Sequence, residues 1–174
     1  ISKPTFSMCF PLTNNFRRLV SFEEKMDKAI AVVRHQAPYP PSQEIADSLN
    51  IPLDVLGVNV DRVYGEEYID LLSKYKIGID FHDRYLGWSR FGAECAYAGT
   101  LVLAHYDTES SLFISPELWG SMDNAKTMGK RLLDDKGFYE ECRTRAIKNV
   151  EYVTSPDRCE ALLKTAMVCC GIVV

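Results

Sequence analysis

The stretch of this sequence densest in groups able to do chemistry runs from Ile77 to Ala104. An apolar strand-like run, Ile77 to Phe81, is followed by a polar loop holding His82 and Gly87. Ser89 and Arg90 then open a helical pattern that carries Glu94 one turn further on. Backbone N–H groups at a helix start attract anions, and a glycine lets the chain come close to a ligand. Arg90 adds a fixed positive charge at that mouth, and Glu94 adds a carboxylate on the same side. This set suits a nucleotide diphosphate, with phosphates on the N–H groups and ribose hydroxyls on the carboxylate. The same spacing also suits a plain surface ion pair between Arg90 and Glu94, four residues apart.

Other groups fall near the ends of predicted strands. His82 and His105 each follow one, placed to touch a ligand or to serve as hydrogen-bonded structural histidines. Asp107, Thr108, Glu109, Ser110 and Ser111 line a loop that equally reads as polar surface. Trp88 sits just before the helix, where it can stack on a base or simply pack. Arg17 and Arg18 form a basic pair in an early loop, suited to a phosphate or to solvent. Three histidines and six cysteines show no zinc spacing, and there is no Asp-x-Asp pattern.

The elements that must position these groups alternate. Thr5 to Leu12 reads as a first strand, and Ser21 to Glu24 as a capping box opening a helix with Phe22, Met26, Ile30 and Val33 on one face. Pro38, Pro40 and Pro41 end that helix, and Ser42 opens a short one with Ile45, Ala46 and Leu49 apolar. Strands follow over Leu53 to Val60, Lys76 to Phe81 and Leu101 to Ala104. Between the first two lies a helix burying Tyr68, Ile69, Leu72 and Tyr75; between the last two, one from Arg90 to Ala98 ends at Gly99. After a loop from Asp107 to Leu118, helical patterns cover Met122 to Tyr139, Glu140 to Val150, and a last segment from Pro156.

Strand and helix repeated in this way predict an α/β fold: three layers, a doubly wound, mainly parallel, Rossmann-like sheet over residues 1–174. Ligands of such sheets bind beyond the carboxyl ends of the strands. That rule selects Thr13 to Ser21, His82 to Arg90 and His105 to Ser115.

The pattern of a short strand, a loop, Ser89-Arg90, Glu94, Ala98-Gly99 and a second apolar strand resembles the donor-binding half of GT-B glycosyltransferases. It is most similar to the retaining glycosyl transferases group 1 class. The resemblance runs from about Asp54 to Leu163 and is strongest from Tyr68 to Ala104. It implies a C-terminal domain that binds a nucleotide-sugar, such as a UDP or GDP hexose, and a hexosyltransferase that acts only with an N-terminal acceptor domain in the same or another chain. It implies Glu94 at the ribose, and Gly87, Ser89 and Arg90 at the diphosphate. His82, Arg17 and Arg18 are further donor-side groups. It requires no metal or other cofactor. Two departures stand out: Leu86 replaces a first glutamate that many members place eight residues before the second, and the usual Gly-x-Pro-Val is Gly99-Thr100-Leu101-Val102.

Composition narrows the classes further. The chain has 174 residues, 47 % hydrophobic and 25 % charged, with a formal net charge of −4. This is a globular balance, not that of a disordered tail or a coiled coil, and it gives no global electrostatic footprint for nucleic acid. The cysteines read as free thiols of a reducing compartment. The apolar tail, Ala166 to Val174, is too short to span a bilayer and suits packing on a neighbouring domain. These features place the chain in the cytoplasm, with attachment to a membrane face left open. A first residue other than Met and a length about half that of a two-domain enzyme read as a fragment. Two other readings stand beside the main one. One is a stand-alone flavodoxin-like binding or regulatory module. The other is a helix-turn-helix over Pro41 to Pro52, whose following segment is too β-branched for a recognition helix.

Overall fold

The computed structural model describes residues 19–33, 40–57, 65–81, 91–105 and 112–169. The predicted strand Thr5 to Leu12 and the basic pair Arg17-Arg18 lie outside them. Five strands form one parallel sheet: β1 (Met26–Val33), β2 (Leu53–Gly57), β3 (Tyr75–Asp80), β4 (Leu101–His105) and β5 (Trp119–Gly120). The spatial order is β2-β1-β3-β4-β5. Helices α1 (Pro40–Ser48) and α4 (Met122–Asp134) cover one face. Helices α2 (Gly65–Ser73), α3 (Phe91–Ala98) and α5 (Lys136–Val153) cover the other, and α6 (Pro156–Cys169) lies against α5. This is the three-layer, Rossmann-like α/β architecture expected from the sequence.

The segment Met26–Val33 is a strand, not the helix that its apolar spacing predicts. The capping interaction is present, since the Ser21 N–H and hydroxyl both donate to Glu24 Oε2 at 3.3 and 2.8 Å. It closes only a three-residue 3-10 helix, Phe22–Glu24. Beyond it, Ala29, Ile30 and Ala31 are all buried between two neighbouring strands. A run apolar on both faces fits a central parallel strand better than a helix with one wet side.

Strand β3 is buried at every position and lies between β1 and β4. Gly78 in its middle lets α3 settle on the sheet. A Cβ there would stand 3.0 Å from Val102 Cγ2 and 3.3 Å from both Cys95 Sγ and Phe91 Cζ. Tyr75 opens this strand instead of lying on the preceding helix, and its hydroxyl donates to Asp54 Oδ2 at 2.7 Å. Gly99 ends α3 at φ +71°, a conformation that other residues adopt only with strain.

The helical pattern read from Met122 to Tyr139 is two helices. The Asp135 N–H donates to the Arg131 carbonyl at 2.9 Å, ending α4. Its carboxylate accepts from the Phe138 N–H at 2.9 Å, starting α5. The helix-turn-helix reading falls here too, because α1 is followed by sheet strand β2.

The amino edge of the sheet is closed by buried polar groups. Lys25 donates to the carbonyls of Ser73 and Tyr75 at 2.6 and 3.2 Å. The Thr100 hydroxyl lies 2.6 Å from the Leu72 carbonyl and 3.0 Å from that of Tyr75. Burial, with the nearby charge of Arg143, holds Lys25 down at about 8, below its ordinary 10.5. Above that folded value the unfolded chain binds more protons than the folded one, so stability rises with pH through the window from about 8 towards 10.5. The buried thiols of Cys95 and Cys142 are pushed up from 9.0, and they act in the opposite sense above that pH. We therefore expect the thermal midpoint to rise between pH 8 and 9, and Lys25→Met to remove the rise. A variant that keeps the wild-type slope would show that Lys25 is not its source.

Candidate functional site at the carboxyl edge

The strand order reverses between β1 and β3: the chain moves outward from β1 to β2, then crosses back over β1 to β3. In a doubly wound sheet, the crevice beyond the carboxyl ends of two such strands is where ligands are held. Around it the chain places Asp80 and Phe81 at the end of β3, Ala104 and His105 at the end of β4, and the first turn of α3.

Glu94 stands in that first turn, partly buried, while its neighbours Phe91, Gly92, Ala93 and Cys95 are buried. The helix is small-residue rich because it is wedged between the sheet, α2 and α5. Glu94 is thus the polar opening in an otherwise buried turn. The adjacent Cys95 thiol is held well above its ordinary value, first by burial and then by the carboxylates of Glu94 and Asp80. The thiol, buried under α3, therefore stays protonated. Asp80 is fully buried at the end of the central strand. On the opposite sheet face, Phe81 and His105 meet edge to face with ring centres 5.7 Å apart.

Of the predicted site residues, the structure describes Glu94. His82, Gly87, Ser89 and Arg90, together with Leu86 and Trp88, lie outside the described residues, as do Arg17 and Arg18. The segment 82–90 nevertheless links the carboxyl end of β3 to the first turn of α3. The end of the predicted loop Thr13 to Ser21 falls elsewhere. Leu19 Cδ2 is 2.8 Å from where a Gly99 Cβ would stand, and the Arg143 side chain donates to the Val20 carbonyl at 2.9 Å. Both contacts are at the amino edge, because Gly99 precedes β4.

The loop after β4 is less of a surface loop than its composition implies. Asp107 to Ser111 lie outside the described residues, but Phe113, Ile114, Ser115 and Leu118 are all buried. Two asparagines pin the segment by its backbone: Asn149 donates to the Ile114 carbonyl and Asn124 to the Glu117 carbonyl, each at 3.0 Å. Glu117 is also bound by the Ser115 hydroxyl and by Arg145, which reaches Glu141 as well. The Ser115 hydrogen bond and the Arg145 charge hold the Glu117 carboxyl below its ordinary value. The segment then forms β5, whose Trp119 pairs with Ala104. The sequence pattern ends this loop at Leu118 and gives no sign of β5 or Trp119, because a two-residue strand has no periodicity to detect. Asp80 was within the predicted strand and carried no role; its position as the last residue of a central strand was the available signal.

Among the described residues, no group of three His, Cys, Asp or Glu side chains is placed to hold a metal ion. Among the same residues, no helix is long and apolar enough to cross a membrane. The buried thiols of Cys95 and Cys142 form no disulfide.

No protein-family model matches the chain. No curated protein matches it either. The fold is similar to that in a crystal structure of an α1,3-fucosyltransferase, with a TM-score of 0.53 and 19 % sequence identity. The similarity covers 85 % of this chain and 47 % of that one, so the chain spans about half the length of that structure. The class these observations define is a Rossmann-like, doubly wound α/β fold, similar to the one in that fucosyltransferase structure.

Proposed function

We propose that the chain is the nucleotide-sugar-binding part of a glycosyltransferase, taking a UDP- or GDP-activated hexose as donor. The observation that carries this reading is Glu94: a partly buried carboxylate in the first turn of a helix that starts at the carboxyl edge of a doubly wound sheet, beside its switch point. The likeness of fold to a fucosyltransferase supports the same class. In this reading Glu94 accepts hydrogen bonds from the ribose hydroxyls. Ser89 and Arg90, at the mouth of α3, hold the diphosphate, and Gly87 lets it approach the backbone. His82, Arg17 and Arg18 are further donor-side groups.

Transfer of the sugar leaves charge on the diphosphate. A preorganised helix mouth and Arg90 would stabilise that charge as it develops, which lowers the barrier. No step in this scheme calls for a metal or another cofactor. The acceptor is held by an N-terminal domain, in the same chain or in another, and without it the domain binds donor but does not transfer. Such an enzyme would work in the cytoplasm or at a membrane face, and nucleic acid is not among its partners.

Calorimetric titration with UDP and GDP tests the reading. Arg90→Ala should weaken binding by about 1–3 kcal/mol, the range for removing a hydrogen bond to a charged group. Glu94→Ala should weaken a nucleotide but leave inorganic pyrophosphate unchanged, since only the nucleotide has a ribose. Equal affinity of wild type and both variants would remove these residues from the site.

One observation favours a second reading. The order β2-β1-β3-β4-β5 is also that of flavodoxin-like sheets, whose ligands lie at the same β1/β3 switch point. A stand-alone binding or regulatory module would share the site without catalysis. It would be distinguished by binding FMN or another ligand in preference to UDP and GDP.

A further inference from the structure

We infer that Trp119 is the stacking platform for the nucleobase, an inference that rests on the nucleotide reading of the same edge. The sheet fixes which way the side chain faces. A Cβ on Gly78 would meet Val102, Cys95 and Phe91, so Val102 faces the α3 side of the sheet. Alternation along β4 puts Ala104 on that side as well. Trp119 lies directly opposite Ala104 in the parallel pair β4–β5, and residues so paired share a face. The next residue confirms the alternation. A Cβ on Gly120 would stand 2.8 Å from Asn124 Nδ2 of α4, on the other face.

Trp119 therefore shares with Glu94 both the α3 face and the carboxyl edge. The register Asp80–Ala104–Trp119 sets it two strands from Asp80, roughly 10 Å at the usual strand spacing. Helix α3 lies over β3 and β4, between α2 and α5. A nucleotide whose ribose is at Glu94 must send its base towards one of those two flanks. On the α5 flank stands an indole left 42 % exposed, on a strand whose approach is fixed. Asn124 holds the Glu117 carbonyl, and Arg145 holds the Glu117 carboxylate. A rigidly carried aromatic face costs little order to use, and any base can stack on it.

The test compares wild type, Trp119→Ala and Trp119→Phe in calorimetric titrations with UDP, GDP and inorganic pyrophosphate. Trp119→Ala should raise the Kd for both nucleotides by roughly 5- to 150-fold, the span for losing one base–aromatic stack. Trp119→Phe should keep most of the affinity, and pyrophosphate should bind all three chains equally, which also shows that the variants are folded. Wild-type nucleotide affinity in Trp119→Ala would overturn the assignment while leaving the donor reading intact. Weakened pyrophosphate binding in the same variant would mean a disturbed site and would also overturn it. A wild-type chain that binds neither nucleotide would sink the donor reading, and this inference with it.

Discussion

Tyr139→Ala is expected to lower the free energy of unfolding by about 3–5 kcal/mol, the cost of deleting a large buried aromatic. Tyr139 is fully buried on α5. Its ring meets Phe22 edge to face, with centres 5.1 Å apart. Its hydroxyl lies 3.0 Å from the Gly99 carbonyl and 3.3 Å from that of Lys76. The one side chain thus ties α5 to the turn after α3, to the start of β3 and to the segment leading into β1. Tyr139→Phe keeps the ring and loses only the hydrogen bond, so a cost of about 1 kcal/mol is expected. Urea denaturation of the three chains measures both values. Equal losses for the two variants would mean that the ring contributes little to the core.

Phe113→Ala is expected to cost about 3–5 kcal/mol as well. This is the less obvious result, because Phe113 lies in a connection that reads from its composition as polar surface. In the structure it is fully buried, Ile114 and Leu118 of the same segment are buried too, and the segment is held by Asn124 and Asn149. The same segment carries Trp119 to the carboxyl edge, so Phe113→Ala should also weaken nucleotide binding under conditions where the rest of the chain is folded. A denaturation midpoint within error of the wild type would show that the segment is not part of the core.

The unit β3–α3–β4 was legible in the sequence because its signals are strong and agree. A continuous apolar run gave β3, Gly99 marked the end of α3, and a second apolar run gave β4. The place of Glu94 at the head of α3 was legible for the same reason, since it is the one acidic residue in that helix. Strand β1 was not legible. Phe22, Met26, Ile30 and Val33 fit a helical face and also fit a buried strand, and the capping box at Ser21 tipped the balance. What decides the matter is pairing with β2 and β3, which is information about distant residues. The break between α4 and α5 turns on Asp135 alone, which caps both. Trp119 escaped because its strand is two residues long and its meaning depends on which residue of β4 it faces.

The central claim is that nucleotide binds at the carboxyl edge, over the switch point and the start of α3. Backbone amide shifts on titration with UDP or GDP test it most directly. Saturable shifts are expected at Asp80, Phe81, the first turn of α3 from Phe91 to Glu94, Ala104 and Trp119. The amino-edge amides of Ser73, Lys74, Gly99 and Thr100 should stay in place. Shifts centred on the amino edge, or a spectrum unchanged at saturating nucleotide, would contradict it.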